Sequence, residues 1–337
     1  LIEVTNLTRH YGSFTAVDHI SFSLEDGKIY GFLGPNGAGK STTMNLLTGY
    51  LCADEGNITV DGFDMLEEPK EAKKRIGYLP ELPPLYKDMT VREYLRFVIQ
   101  LKKADCDAVA LDHILRKTGL TDVVDKMIRS LSKGFQQRVG IAQALVGNPP
   151  ILILDEPTVG LDPLQRIEVR ELIRSLGKEH TVILSSHILS EISEVCDTVL
   201  IIAHGKLVGE GSPEQLAQTG QASQQCSLSV KGQQETVLNA LSAIDLVPIG
   251  PVKQENGLLS LTVSWPAGQD KREEIFYALA AAHCPILEET ITAMSLEQIF
   301  LELTGEDKDA QAYEKVVAQL GETPVAEEKA ASAQEEE

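Results

Sequence analysis

The chain has 337 residues, 43% of them hydrophobic, and a formal net charge of −20. That length allows two domains, the hydrophobic share is that of an ordinary globular protein, and the acidic balance argues against a nucleic-acid backbone as a partner of the bulk surface. Five cysteines (Cys52, Cys106, Cys196, Cys226 and Cys284) stand without metal-ligand spacing, which suits buried thiols in a reducing compartment better than a disulfide framework. No apolar run approaches the roughly 20 residues that span a bilayer. The expectation is a soluble, cytoplasmic chain.

In chain order, "LIEVTNLT", "HISFSLEDG" and "KIYGFLG" read as short β segments. The last runs into "GPNGAGKSTTMNLLTG", where a strand turns into a helix near Ser41. There Gly34, Pro35, Asn36, Gly37, Ala38, Gly39, Lys40 and Ser41 fit G-x-x-x-x-G-K-[ST], with Thr42 next. In such a loop the glycines let backbone N–H groups wrap phosphates, the lysine neutralises the β- and γ-phosphates, and the serine hydroxyl ligates Mg²⁺. A plain glycine turn is the alternative, and the strand-to-helix setting argues against it.

"TVREYLRFVIQLKK" is a helix by its capping box, Thr90 with Glu93, and by Val91, Tyr94, Leu95, Val98 and Ile99 on one face. "DAVALDHILRKTG" is a second helix, closed by Gly119. "RSLSKGFQQRVGIAQAL" opens a third at Ser132 as N-cap, and Gly134 leaves room for a ligand to approach the backbone. A helix start of this kind is an anion seat. The residues alone do not name the anion.

"PPILILDEP" and "HTVILSSH" are continuous apolar runs, the mark of buried parallel strands. Asp155 ends the first, placed to hold Mg²⁺ directly or through water. Glu156 follows, and a carboxylate there can polarise an attacking water, as general base or as positioning group. The alternative use of the pair is to cap the next helix. Asp162, directly before Pro163 in "DPLQRIEVRELIRSLG", is better placed for that duty. Two carboxylates after a buried strand, with a phosphate loop upstream, predict nucleoside triphosphate hydrolysis on a parallel α/β core.

Near residue 211 the texture changes to the polar "GSPEQLAQTGQASQQ", read as a linker. Beyond it the elements run β-α-β-β-α-β, a ferredoxin-like order, followed by a helix "SLEQIFLELTG" and an acidic end that lacks bulky apolar residues and is expected to be disordered. The expected division is 1–210, with a helical subdomain at about 82–147, a linker 211–222, an accessory domain 223–305 and a tail 306–337.

Taken together the motifs resemble those of the ATP-binding subunits of ABC transporters. "LSKGFQQR" resembles that family's signature, departing from its commonest form at Lys133 and Phe135; "VGLDP" resembles its D-loop, with Asp162. "SSH" resembles its switch, with His187, and "RHYG" its A-loop, with Tyr11. These motifs stand in the family's order over residues 1–210. The resemblance implies a P-loop ABC ATPase domain with a mixed sheet and a helical subdomain, ATP and Mg²⁺ as cofactors, and a sandwich of two subunits around two ATPs. It implies that Ser132, Gly134 and Gln136 meet the γ-phosphate held by the partner, which names the anion. Tyr11 would stack on adenine, and His187 would bridge the γ-phosphate and the catalytic water. His204 has no such support and reads as surface.

One position departs from the pattern: Glu81 of "GYLPELPPLY" stands where the family usually has glutamine. The resemblance still gives it a place as Mg²⁺ ligand or γ-phosphate sensor, with added negative charge near the phosphates. "YLPE" and the ending "SLEQIFLELTG" resemble the gliding-motility and multidrug-exporter branch. The implied partners are a second copy or a paralogous subunit and separate transmembrane permease subunits, with no nucleic acid. The implied place is the cytoplasmic face of the membrane, and the implied direction is export. The rival is a soluble ABC ATPase associated with ribosomes or DNA. Such proteins usually carry two cassettes, a long coiled coil or a zinc insertion, and this chain has one cassette, no heptads and no CxxC.

Overall fold

The apolar runs of the sequence become the inner strands of a mixed sheet. The computed structural model describes residues 1–219, 223–246, 248–255, 257–266, 269–292 and 300. A hairpin of β1 (Ile2–Tyr11) and β2 (Phe14–Leu24) comes first, and β3 (Ile29–Leu33) then leads through the glycine loop into α1 (Lys40–Leu47). After β4 (Glu55–Val60), β5 (Phe63–Asp64) and α2 (Pro69–Lys74), the chain enters β6 (Ile76–Leu79). Helices α3 (Val91–Lys102), α4 (Ala108–Lys117) and α5 (Lys133–Leu145) separate it from β7 (Ile151–Leu154). There follow α6 (Pro163–Leu176), β8 (Thr181–Ser186), α7 (Leu189–Val195), β9 (Thr198–Ala203), β10 (Lys206–Gly211) and α8 (Pro213–Thr219).

The main sheet runs β10-β9-β3-β8-β7-β6, parallel throughout except for the edge strand β10. Side chains alternate across a strand, so each apolar run feeds two cores. Leu152, Leu154 and Leu184 pack with the helical subdomain and α6, whereas Ile151, Ile153 and Ile183 pack with β1, β2 and α1. An antiparallel sheet, β2-β1-β4-β5, carries the strands of that second core. Its members β4 and β5 were not legible as strands in the sequence, because short turn-rich segments lack a clear period.

The helix signals hold. Thr90 and Glu93 form the reciprocal box at the start of α3, with Glu93 N–H donating to Thr90 Oγ1 at 3.2 Å and Thr90 N–H to Glu93 Oε2 at 2.8 Å. Gly119, at φ +66°, follows α4, and Ser132 caps α5 by accepting from Phe135 N–H at 3.4 Å. Among the described residues no helix is long and apolar enough to cross a membrane.

The second unit comprises β11 (Ser223–Lys231), α9 (Gln234–Ser242), β12 (Pro248–Glu255), β13 (Leu258–Pro266), α10 (Arg272–Ala281) and β14 (Ile286–Thr292). Its sheet order β12-β13-β11-β14, antiparallel throughout, is the ferredoxin-like arrangement. Leu228, Trp265, Ile275 and their neighbours make a core separate from the other two. Leu216 of α8 and Phe300 pack against the larger core of the first unit. Apart from Phe300, the expected last helix and acidic tail lie outside the described residues.

Gly77 shows how closely α5 is seated on the sheet. A Cβ there would stand 2.2 Å from the Ala144 carbonyl oxygen and 2.8 Å from Leu152 Cδ2. Gly77→Ala should therefore lower the unfolding free energy by about 1–3 kcal/mol, the usual cost of overpacking. A denaturant midpoint unchanged from wild type would contradict this packing.

Candidate functional site

Parallel pairing of β6, β7, β8 and β3 brings four C-terminal strand ends side by side. That is where ligands bind on open parallel sheets. Glu81 follows β6, Asp155 and Glu156 follow β7, His187 follows β8, and the glycine loop follows β3. Residues far apart in sequence meet because strand order, not chain order, sets their spacing.

The loop is shaped around its backbone. Gly39 has φ +108°, and a Cβ there would stand 2.4 Å from the Ala16 carbonyl oxygen, so no other residue fits without a shift. Gly39 offers no side-chain cap to α1, which leaves the first-turn N–H groups for an anion. Ala38 N–H donates to the Pro35 carbonyl at 3.2 Å and closes the turn. The Lys40 ammonium, 6% exposed, donates to the Gly34 and Pro35 carbonyls at 2.7 and 3.1 Å. Burial lowers its pKa, against the opposing pull of Glu156, Asp155 and Glu81.

Both residues after β7 are buried, and one hydroxyl holds the Asp155 side chain and the Glu156 backbone. Ser185 Oγ donates to Asp155 Oδ1 at 2.5 Å and accepts from Glu156 N–H at 2.9 Å. Ser41 Oγ donates to the same Asp155 oxygen at 3.4 Å. Glu156 has φ +47°, a strained left-handed backbone for a glutamate. Its Oε2 and Oε1 lie 3.0 and 3.1 Å from His187 Nδ1, and Oε1 lies 3.9 Å from Lys40 Nζ. Burial raises the pKa of each carboxyl, offset for Asp155 by the Ser185 and Ser41 hydroxyls and for Glu156 by His187. Ser41 and Asp155 offer the hard oxygens that Mg²⁺ takes, usually beside phosphates and water.

A cavity of about 440 Å³ opens over these groups. Its wall includes Tyr11, Asn36, Gly37, Gly39, Lys40, Ser41, Thr42, Glu81, Glu156 and His187. Asp155 lies just behind, through Ser41. Phe14 also lines it, 60% exposed and opposite Tyr11 in the β1–β2 hairpin. Sequence reasoning missed Phe14, although an aromatic three residues after Tyr11 across a glycine turn was a usable signal. Ser185 was missed as well, and only the sheet order places its hydroxyl between the Asp155 carboxylate and the Glu156 N–H.

The signature residues do not reach this cavity within one chain. Ser132 and Gly134 sit at the head of α5; Gly134 is buried, and the Gln165 side chain lies 2.9 Å from where its Cβ would be, filling the room expected there for a ligand. Gln136 Nε2 donates to the Ile128 and Leu131 carbonyls at 3.3 and 3.0 Å, bracing the turn before α5. Asp162 caps α6 by accepting from Gln165 N–H at 2.9 Å.

Comparison with known proteins agrees with this geometry. The family model described as ABC transporter matches residues 17–159. The chain is 44% identical over 215 residues to the bacitracin transport ATP-binding protein BcrA of Bacillus licheniformis, covering 62% of this chain and 69% of that one. It is 33% identical over 309 residues to the linearmycin resistance ATP-binding protein LnrL of Bacillus subtilis, covering 90% and 98%. Among solved structures, an ATP-binding subunit of an ABC transporter superposes with a TM-score of 0.59 at 28% identity, covering 65% of this chain and 92% of that one.

The buried Glu156 carboxyl has a consequence for stability. Its folded pKa is raised, so its contribution is most favourable below the ordinary glutamate range and is lost as pH rises through the raised value. Glu156→Gln removes the charge that burial penalises. In nucleotide-free protein the variant should therefore melt higher than wild type at pH 8, and the gap should shrink at pH 5. A variant that melts lower at both pH values would contradict the balance drawn here.

Proposed function

The chain belongs to the family of ABC transporter ATP-binding proteins, and we propose on that premise that it hydrolyses ATP to drive a separate membrane permease in the export direction. The observation that carries the reading is the contact of Glu156 with His187 and Lys40 at the mouth of the phosphate loop. In this reading Tyr11 and Phe14 offer aromatic faces to adenine. Lys40 and the N–H groups of the loop and of the first turn of α1 hold the phosphates, and Ser41, Asp155 and Glu81 face the metal. Mg²⁺, when bound there, supplies neutralisation of the phosphate charge. Glu156 orients the attacking water and takes its proton, and a carboxyl whose pKa is raised is the better base near neutral pH. His187 holds Glu156 in place and reads the γ-phosphate.

The signature residues enter from a second copy or a paralogous subunit. Ser132, Gly134 and Gln136 lie away from their own chain's cavity, at a helix start where Ser132 is exposed and Gly134 is covered by the Gln165 side chain, which a bound partner would have to displace. The exporter direction is supported by relatives described as serving bacitracin transport and linearmycin resistance. A groove of about 660 Å³ between the phosphate-loop domain and the helical subdomain, walled by Tyr50, Tyr78, Pro80, Leu82 and Pro84, supports permease docking directly beside Glu81. Tyr50 and Leu82 are 77% and 83% exposed, large apolar surface of the kind that marks a partner site. The chain would then sit at the cytoplasmic face of the membrane through its permease. We assign residues 223–305 an accessory role in the dimer, supported by the separate core built between Cys226 and Ile286, while Phe300 packs back on the first unit.

Glu156→Gln should keep ATP affinity, lower turnover by about a hundredfold or more, and accumulate ATP-dependent dimers on size exclusion. Gly134→Asp should also stop turnover while single-chain ATP binding survives, because it sets a carboxylate against the partner's γ-phosphate. Equal loss of binding and hydrolysis in Gly134→Asp would rule out a composite site.

Leu82→Asp tests the groove. Basal ATPase activity of the isolated chain should stay at the wild-type level, while co-purification with the membrane permease it serves is lost. Retained co-purification would move the docking site elsewhere.

A further inference from the structure

One buried carboxylate beside the site has no part in the chemistry described above. Glu191, in the first turn of α7, is 5% exposed. Its Oε2 accepts from Thr158 Oγ1 at 2.5 Å and from Ser186 Oγ at 3.4 Å. Its Oε1 is buried without a hydrogen-bond partner among the described residues. A half-satisfied carboxylate in the interior costs free energy that an apolar side chain would not. Its place in the first turn of α7 offsets part of that cost, since a carboxylate there suits the helix N-terminus.

Its two partners supply a reason for a glutamate here. Thr158, 3% exposed, lies two residues after Glu156, and Ser186 lies immediately before His187. Ser186 Oγ also accepts from Ile188 N–H at 3.0 Å, which fixes the turn that carries His187. On the other side, Val159 N–H donates to the Glu156 carbonyl at 3.1 Å, which ties Thr158 to the strained Glu156 backbone. The contacts close a ring: Glu156 to His187, His187 along the chain to Ser186, Ser186 to Glu191, Glu191 to Thr158, and Thr158 along the chain back to Glu156. Strained backbone persists only where its surroundings over-determine it.

We propose that Glu191 is a positioning residue that ties the turn after β7 to the turn after β8 and thereby sets the contact between Glu156 and His187. The proposal rests on the reading of those two residues given above. Glu191 touches neither nucleotide nor water in the reaction. It acts by keeping the two loops in register, and a misplacement of about 1 Å at a reacting group can cost a hundredfold in rate.

The test is steady-state and single-turnover phosphate release, with equilibrium ATP binding, for Glu191→Ala, Glu191→Gln and Thr158→Val, each also in a His187→Ala background. Glu191→Ala should lower kcat about tenfold to a hundredfold, the usual effect of losing a supporting contact, with KM and ATP affinity unchanged. Glu191→Gln should recover most of the rate, because its amide oxygen still accepts from both hydroxyls. Thr158→Val should show a smaller loss of the same kind. With His187 already removed, the Glu191 and Thr158 changes should add nothing, as expected of residues that act through one another. A wild-type kcat in Glu191→Ala, or losses that multiply in the double variants, would overturn the proposal. Should Glu191→Ala fail to fold, Thr158→Val decides: unchanged kcat there overturns it equally. If His187→Ala and Glu156→Gln themselves turn over at the wild-type rate, the reading of the site fails. If they are impaired and the Glu191 and Thr158 variants are not, only the positioning role fails.

Discussion

The whole site depends on one constraint: ionisable groups are held out of water at the ends of parallel strands. Lys40, Asp155 and Glu156 are each less than a tenth exposed. Burial opposes the charged form of all three. They persist because the fold supplies fixed partners: two loop carbonyls for Lys40, the Ser185 hydroxyl for the Asp155 carboxylate, and His187 for the Glu156 carboxylate. Low local polarity strengthens the field such groups exert on a phosphate in the cavity, since there is little water to screen it. Function here is taken out of stability, in the sense that the same groups made apolar would fold more easily and do nothing.

How much of this the sequence disclosed follows from where each signal is encoded. The phosphate loop is local, because glycine spacing and a strand-to-helix switch lie within a dozen residues. The caps at Thr90, Ser132 and Asp162 are local too, and each is made as the residues dictate. Ser185 and Glu191 were invisible for the opposite reason. A serine inside an apolar strand and a glutamate early in a short helix have bland local readings. Only the adjacency of β7 and β8 places Ser185 against Asp155 and Glu156, and Glu191 against Thr158. Strand β4 fails for want of a period, since three of its six residues are exposed in a row.

The ferredoxin-like unit shows a different limit. Its order of elements was readable, but the chemistry of its open sheet face depends on register. Pairing sets Ser227 opposite both Thr262 and Thr290, and Ser229 opposite Ser260 and Glu288. These residues, with Lys253, line a shallow concavity. A hydroxyl-rich face offers little apolar area, so association across it would draw little on the hydrophobic effect. Any role for this unit in the dimer is therefore better sought at its exposed Phe276, Tyr277 and Leu287.

The docking groove and the signature helix are joined by contacts that leave little slack. Tyr94 of α3 donates its hydroxyl to the Pro84 carbonyl at 3.4 Å and also meets Gln143 Oε1 of α5. A Cβ on Gly140 of α5 would stand 2.5 Å from Leu79 and 3.2 Å from Pro83, so the helix lies directly on the segment that carries Glu81. Lys102 of α3 reaches across to the Gln143 and Val146 carbonyls at 3.0 and 3.3 Å, where a cation suits the helix C-terminus. Close-packed elements of this kind shift as bodies and do not deform continuously. The groove wall at Pro80–Pro84 is thus packed on the helix whose start carries Ser132 and Gly134. The same segment bears Glu81 on the cavity wall. If the groove is where the permease docks, the wall that bears Glu81 on the cavity side and Leu82 on the groove side is one segment shared by both.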